Sequence, residues 1–497
     1  MLQASLNNTD PTPATLIMLL NVHDQGSDEY KCGEMNVMMM IQALSVNYVL
    51  SQGILPVKPR FNLRSLVLDN CDNPLKIDQD LTSIFINGEL CNEEFDWQGT
   101  TLDRSTVIGV QTTDSRFVVA ANRVTAPLKI QLMSSSATST ALNDRWRYPY
   151  FARAVPPDNV QMAIIADILD SNDWSYVGVI YSLESYGISG YRTLDNVLNN
   201  GNSSCVGIAE GIDYLATTSE ILPHVQNVAA QNYINVIVIV SIDPFKVMQA
   251  FIDEGVAYRF VIILTDTWEN DVERVAMMAN YFEAVIAISF QDALFMPFVN
   301  YLTGTSYNNT MGMPSDWFDE FYQHIHECYN PNADRVMMQY DVPCDMNLNM
   351  TAKQIMRYPV GKRELMSTYA LAESLAIFSN YHGCTGSTFE SCLVKAADTV
   401  PYRDAREELF NFTLGIEYDN VASQWYPNDT FRFELGEDRY WDIGYDIYSF
   451  GKVASTYEQV MVSVASNNYL EKNISFHKKT QLMFMKLCTR IAQKNRK

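Results

Sequence analysis

Residues 133–187 read MSSSATSTALNDRWRYPYFARAVPPDNVQMAIIADILDSNDWSYVGVIYSLESYG. This stretch joins two short apolar runs, 128–133 and 176–181, through a helix-like segment, and both runs stop abruptly at small or polar residues. In open parallel α/β sheets, ligands sit beyond the carboxyl ends of the strands, where loops converge and helix amino termini offer N–H groups. The SSSATS loop at 134–139 fits that place, although a hydroxyl-rich surface loop has the same composition.

Outward from there, strands and helices alternate. On the amino-terminal side, residues 16–21, 61–68 and 106–110 read as strands, and 35–50, 78–87 and 116–125 as helices. Pro156-Pro157 marks the passage into a second unit, because consecutive prolines break a helix. There 160–169 and 188–199 read as helices and 176–181 as a strand; NVIVIVS (235–241), RFVIILT (259–265) and AVIAISF (284–290) are continuous runs rich in β-branched residues. Buried parallel strands look like this, since helices cover both faces. Residues 314–328 and 364–379 return to helix, and 411–433 read as strand and turn. The fold class is α/β, with parallel sheets and right-handed crossovers in two units.

A chain of 497 residues exceeds one compact core, and 47% apolar content is that of a globular protein. The formal charge of −23 excludes nucleic acid as a partner, because no excess of Lys and Arg exists to displace counterions. No segment has the roughly 18–20 uninterrupted apolar residues that span a bilayer. Residues 14–22, ATLIMLLNV, follow Asp10 with no preceding Lys or Arg, and read as the first buried strand rather than a signal peptide. There is no phosphate-binding loop, nucleophile elbow or H-E-x-x-H, so no enzyme activity is expected. His324-x-His326-Glu327-Cys328 has poor metal spacing, since residues i and i+2 of a helix diverge; neither metal nor cofactor is expected.

The order SSSATS, YFARAVPPD, W-S-Y-V, then S-Y-G-x-S-G resembles the ligand-binding ectodomain of metabotropic glutamate receptors and their class C G-protein-coupled relatives. Further landmarks are Cys32-Gly33-Glu34 and residues 67–71, 264–268 and 445–448. The resemblance implies a periplasmic-binding-protein type I fold, a Venus flytrap of two doubly wound lobes joined by a multi-crossing hinge. Lobe 1 would comprise 13–157 and 291–430, lobe 2 would comprise 158–290 and 431–470, and 471–497 would be a tail, basic from Lys478 in an otherwise acidic chain. The family's export signal, cysteine-rich linker and seven membrane helices are not seen in these residues, and the expectation is a ligand-binding module, a shed form or an incomplete chain.

Matching to the family's motifs places Ser115, Ser136 and Thr138 at the α-carboxylate of a bound α-amino acid. Thr138, Asp158 and Asp266 fall at its α-ammonium, with Tyr186 packed against it. Such a zwitterion needs donors at one end and acceptors at the other. Each residue also has an ordinary role open to it: Asp158 as a helix cap, Tyr186 as core, Asp266 as the close of a turn. Two departures make glutamate a doubtful ligand. The first helix carries Met38, Met39 and Met40 and no Arg for a distal carboxylate, leaving Lys362 or Arg363 as the remaining cation. Thr112, Thr113 and Asp114 replace a small-residue loop, and Asp114 would repel a carboxylate if it pointed inward.

The nine cysteines form no C-x-x-C pair. The resemblance implies disulfides 32–71, 328–344 and 384–392, an intersubunit disulfide at Cys91, and a homodimer through helix faces near 75–85 and 124–128. Cys205 would reach the linker, and Cys488 has no assigned partner. Sequons at Asn7, Asn202, Asn308, Asn349, Asn411, Asn428 and Asn473 agree with an extracellular or secreted setting. The leading expectation is a receptor ectodomain that senses an α-amino acid by lobe closure and reaches a G protein only through a membrane region outside this chain. The alternative is a secreted binding protein or decoy. A third reading, the ectodomain of a guanylyl-cyclase receptor or ionotropic channel, should lack the Ser136, Thr138, Asp158, Tyr186, Asp266 set.

Overall fold

The computed structural model describes residues 2–5, 13–26, 32–51, 61–87, 104–200, 204–268, 271–292, 295–307, 309, 311–358, 361–384, 388–399, 404–419, 431–453, 456–457 and 460–464. Cys91, Cys488, the 471–497 tail and the sequons at Asn7, Asn202, Asn308, Asn428 and Asn473 lie outside these residues.

In chain order, the first elements are β1 (Leu2–Ser5), β2 (Pro13–Leu20), β3 (His23–Gln25), β4 (Cys32–Met35), α1 (Val37–Ser51), β5 (Asn62–Asp69), α2 (Pro74–Thr82), β6 (Val107–Thr112), α3 (Ser115–Thr125), β7 (Gln131–Ser134) and β8 (Phe151–Arg153). Next come α4 (Asp158–Ser171), β9 (Tyr176–Ser182), α5 (Ser185–Asn199), β10 (Cys205–Ile212), α6 (Thr218–Ala229), β11 (Val236–Val240), α7 (Pro244–Asp253), β12 (Val261–Leu264), α8 (Val272–Ala279) and β13 (Ala284–Phe290). The last are α9 (Met296–Leu302), α10 (Ser315–His326), α11 (Ala352–Ile355), α12 (Lys362–Tyr381), α13 (Phe389–Thr399), α14 (Ala405–Leu414), β14 (Glu417–Asp419), β15 (Arg432–Glu434), β16 (Tyr445–Val453), β17 (Thr456–Tyr457) and β18 (Val460–Val464).

These elements form two compact units. Unit 1 is Met1–Ala137, Asp144–Val155 and Asp292–Trp441; unit 2 is Thr138–Asn143, Pro156–Gln291 and the segment from Asp442. The unit 1 sheet runs β1-β5-β2-β6-β7-β8, parallel except for β1. The unit 2 sheet runs β10-β9-β11-β12-β13 in parallel, followed by antiparallel β16, which pairs with β17 and β18. Every residue of β11, β12 and β13 is buried. The continuous apolar runs follow from cover on both faces: α6, α7 and α8 pack Val225, Phe251 and Val275 into the core that holds Ile237 and Ile239, while Gly190 of α5 lies against Val240.

Apart from shifts of one or two residues at 156–157 and 291, the contacts divide the chain differently from the sequence reading at two places. Thr138–Asn143 belongs to unit 2, because Thr138 O accepts from Asp158 N at 2.7 Å and Thr140 N donates to Ser189 Oγ at 2.9 Å. Residues 431–441 belong to unit 1: β15 pairs with β14, and Trp441 N donates to Arg153 O at 3.1 Å. The expected strand-and-turn region at 411–433 also begins inside α14, capped by Asp404, whose carboxylate accepts from Arg406 N and Glu407 N. The predicted helix at 78–87 starts earlier, at Pro74 behind the Asn73 cap, and closes with a π-helical turn over Ser83–Asn87.

Among the described residues, three disulfides join Cys32 to Cys71, Cys328 to Cys344 and Cys384 to Cys392, as expected. His324 and His326 meet Tyr340 and Gln354, with Cys328 tied up in its disulfide, so this run is built as a helix end. Among the described residues, no helix is long and apolar enough to cross a membrane.

Candidate functional site

The residues singled out in the sequence fall at strand carboxyl ends and helix starts, shared between the two units. Unit 2 holds Thr138, Asp158, Tyr186 and Asp266. Asp158 opens α4 and Asp266 opens a 3₁₀ turn directly after β12 and Thr265. Tyr186 is the second residue of α5, whose start is fixed by Glu184: its carboxylate accepts from Tyr186 N at 2.6 Å, Gly187 N at 2.8 Å and Ser182 Oγ at 2.7 Å. Gly187 allows that helix to sit directly on the end of β9, since a Cβ there would overlap the Ser182 carbonyl oxygen.

Hydrogen bonds gather the four residues into two groups, Tyr186 with Asp266 and Asp158 with the Thr138 backbone, and the charge of Asp158 is felt at Tyr186. Tyr186 Oη lies 2.8 Å from Thr265 Oγ1 and 2.9 Å from Asp266 Oδ1. Gln161 Nε2 donates to the same Asp266 oxygen at 3.0 Å, and Ser189 Oγ donates to Asp158 Oδ2 at 3.0 Å. Burial, then the charges of Asp266 and Asp158, push the Tyr186 phenol well above its ordinary pKa. It therefore stays a neutral donor beside two carboxylates. Thr138 Oγ1 and Gln161 Oε1 are buried without a protein hydrogen-bond partner. The ordinary roles are filled at the same time: Tyr186 is buried, Asp158 stands in the first turn of α4, and Asp266 precedes Trp268 in a turn.

Unit 1 holds Ser115 and Ser136. Ser115 is the buried first residue of α3, and Ser136 follows β7 in a loop where Ser134 Oγ accepts from Ala137 N at 2.9 Å. The threonine and serine positions of the SSSATS loop are therefore divided, Ser136 with unit 1 and Thr138 with unit 2. Asp114 does not stand as a bare negative charge. It N-caps α3, accepting from Arg116 N at 2.8 Å and Phe117 N at 3.3 Å, while Arg116 Nη2 sits 2.8 Å from both Asp114 Oδ2 and Asp72 Oδ1. Two carboxylates around this buried guanidinium raise its pKa further above the ordinary value, outweighing burial, which acts to lower it.

α12 brings a further cation to this end of unit 1. Arg363 Nε is 3.0 Å from Asp292 Oδ2, and its Nη1 approaches Ser135 O at 3.5 Å. Lys362 instead stacks its ammonium over the Phe431 ring at 4.9 Å. Met39 and Met40 of α1 are buried in the core.

Sequence reasoning missed Gln161, Ser189, Glu184 and Asp292. Gln161 was within reach of a helical reading, one turn beyond Asp158 on α4. Asp292 lies 71 residues from Arg363, and nothing local in the sequence pairs them.

With this arrangement in view, the comparison with known proteins is direct. The family described as receptor family ligand binding region matches residues 53–343, more than half of the chain. The chain belongs to this receptor ligand-binding family. Within it, the ligand-binding region is similar to metabotropic glutamate receptors, the type found in class C G-protein-coupled receptors. It is 25% identical to the metabotropic glutamate receptor of Drosophila melanogaster over 201 residues, covering 40% of this chain and 20% of that protein. It is 25% identical to human metabotropic glutamate receptor 8 over 227 residues (45% and 24%), and 24% identical to mouse metabotropic glutamate receptor 4 over 327 residues (63% and 35%). The matched regions span about a third or less of these relatives' length, and the relatives are receptors rather than enzymes. The two-unit, parallel-sheet α/β architecture is that of the periplasmic-binding-protein type I fold.

Proposed function

We propose that this receptor ligand-binding region is the extracellular, non-catalytic sensor domain of a metabotropic glutamate receptor-like G-protein-coupled receptor, and that it senses an α-amino acid by closing its two lobes on it. The observation that carries the reading is the unit 2 cluster, in which Asp158 and Asp266 flank a buried, neutral Tyr186. Carboxylate oxygens with a tyrosine face suit a small ammonium group, whose burial would otherwise cost several kcal/mol. The α-carboxylate falls to the hydroxyls of Ser136 and of Ser115 at the start of α3, the N–H groups of Arg116 and Phe117 being taken by Asp114.

Glutamate remains a doubtful ligand on this reading. The distal cation, Arg363, is already paired with Asp292, and a neutral or apolar side chain suits the site better. Three disulfides and exposed sequons at Asn349 and Asn411 support an extracellular location. Leu75 and Ile86, 64% and 63% exposed on and just after α2, and Leu128, 39% exposed, support dimerisation through the faces near 75–85 and 124–128, while Val124 is buried. Coupling to a G protein would run through a membrane region outside this chain.

A thermal-shift screen of the protein against the twenty amino acids and simple amines tests the proposal. A ligand at 100 times its dissociation constant adds about 2.7 kcal/mol of stability. The expected result is stabilisation by at least one neutral amino acid, abolished by Asp266→Asn. Stabilisation by none of them contradicts it.

A further inference from the structure

Resting on the reading above, we infer that the Asp292–Arg363 ion pair sets the charge preference for the ligand's side chain, each partner cancelling the other so that neither acidic nor basic amino acids are favoured. The pair lies against the Ser135–Ser136 stretch to which the reading above assigns the ligand's α-carboxylate. Arg363 and Glu364 open α12, and Gln111 at the end of β6 ties that turn down, donating to Glu364 O at 3.1 Å and accepting from Thr368 Oγ1 at 2.9 Å. Arg363 Nη1 reaches Ser135 O, beside Ser136. The side chain of Arg363 is 17% exposed and that of Asp292 7%, so the pair is shielded from bulk water but not sealed from the edge.

The charge balance around the pair favours no anion. Asp292 faces Arg363 through Oδ2 and accepts the Lys362 backbone N–H through Oδ1. Gly361 leaves room for both acidic groups, since a Cβ there would overlap Asp292 Oδ2 and Glu364 Oε2. Burial first, and then the charge of Asp292, raise the pKa of the Glu364 carboxyl, against the pull of Arg363. Whether Glu364 is protonated or ionised, the Asp292, Arg363, Glu364 group carries no surplus positive charge. A ligand carboxylate here would meet a guanidinium already matched, with a second acidic group behind it.

The two halves of the pair can be removed separately. Asp292→Asn keeps an oxygen for the Lys362 N–H and frees the guanidinium; Arg363→Gln frees the carboxylate. Calorimetric titrations of the wild-type protein and both variants use L-glutamate, L-lysine and L-glutamine as probes, with circular dichroism confirming the fold. Asp292→Asn is expected to gain about tenfold or more in affinity for glutamate over glutamine, and Arg363→Gln a similar gain for lysine. If both folded variants bind glutamine as the wild type does and neither changes its charge preference, the inference is overturned while the sensor reading stands. If the wild type and both variants bind no amino acid in this set or in the wider screen, the sensor reading falls and the inference with it. If one variant fails to fold, the other decides the question by the same criterion.

Discussion

His23 supplies a pH dependence that can be worked through from the structure. The imidazole is buried between two acidic groups, with Nδ1 on Asp69 Oδ2 and Nε2 3.5 Å from Glu320 Oε2, and its ring stands edge-on to Trp317 at 5.4 Å. Burial alone would lower its pKa, but hydrogen bonds to Asp69 and Glu320 and their charges outweigh it and lift it from 6.5 to about 9. Because the folded value lies above the unfolded one, the stabilisation is fully present below about 6.5 and is lost as the pH rises through about 9. At about 1.4 kcal/mol per unit, a rise from 6.5 to about 9 corresponds to ~3 kcal/mol. His23→Gln removes the titrating group while leaving a polar side chain. Urea unfolding of both proteins, followed through tryptophan fluorescence, should show the variant less stable by ~3 kcal/mol at pH 6, with the gap narrowing by about that amount near pH 9.5. Ionisations away from the His23, Asp69 and Glu320 group cancel in the difference. A gap that stays constant across this range would refute the assignment of an imidazolium held between Asp69 and Glu320.

Three further outcomes are expected. Gly187→Ala should destabilise unit 2 by roughly 1–3 kcal/mol, since the added methyl would overlap the end of β9 at Ser182; a thermal-denaturation midpoint equal to wild type would speak against that close approach. Tyr186→Phe removes a hydroxyl that meets Thr265 and Asp266, and should cost about 1.5–3 kcal/mol in stability, read by urea titration, while weakening amine binding in calorimetry. Replacing Cys328 and Cys344 together by serine opens a link across 16 residues and should lower stability by about 2–4 kcal/mol, measured against the wild type under non-reducing conditions.

The two α/β units were legible because their strands are buried on both faces: 235–241 and 284–290 had to be apolar throughout, and they form β11 and β13. Edge and short strands were not. β10, CVGIAEGI, is only partly buried and alternates poorly, and β8 has three residues. α6 was hidden by Pro223 inside it, which its packing through Ile221 and Val225 overrides. The candidate site was readable as an ordered set of hydroxyls and carboxylates at strand ends. What holds the set is not local in sequence: Tyr186 meets Asp266 80 residues on, and Arg363 meets Asp292 71 residues back. The division of the SSSATS loop between units was equally invisible, since it depends on Thr138 O accepting from Asp158 N and Thr140 N donating to Ser189 Oγ.

The central claim is that the carboxylate and tyrosine cluster of unit 2 holds a protonated amine. Calorimetry at neutral pH with the best neutral amino acid from the thermal-shift screen, compared with the same molecule lacking its amino group, tests it most directly. Measurable binding of the amino acid and at least a hundredfold weaker binding of the deaminated acid, about 2.7 kcal/mol, is the predicted result. Equal affinity for the two would contradict it, leaving Asp158, Tyr186 and Asp266 as structural residues of unit 2.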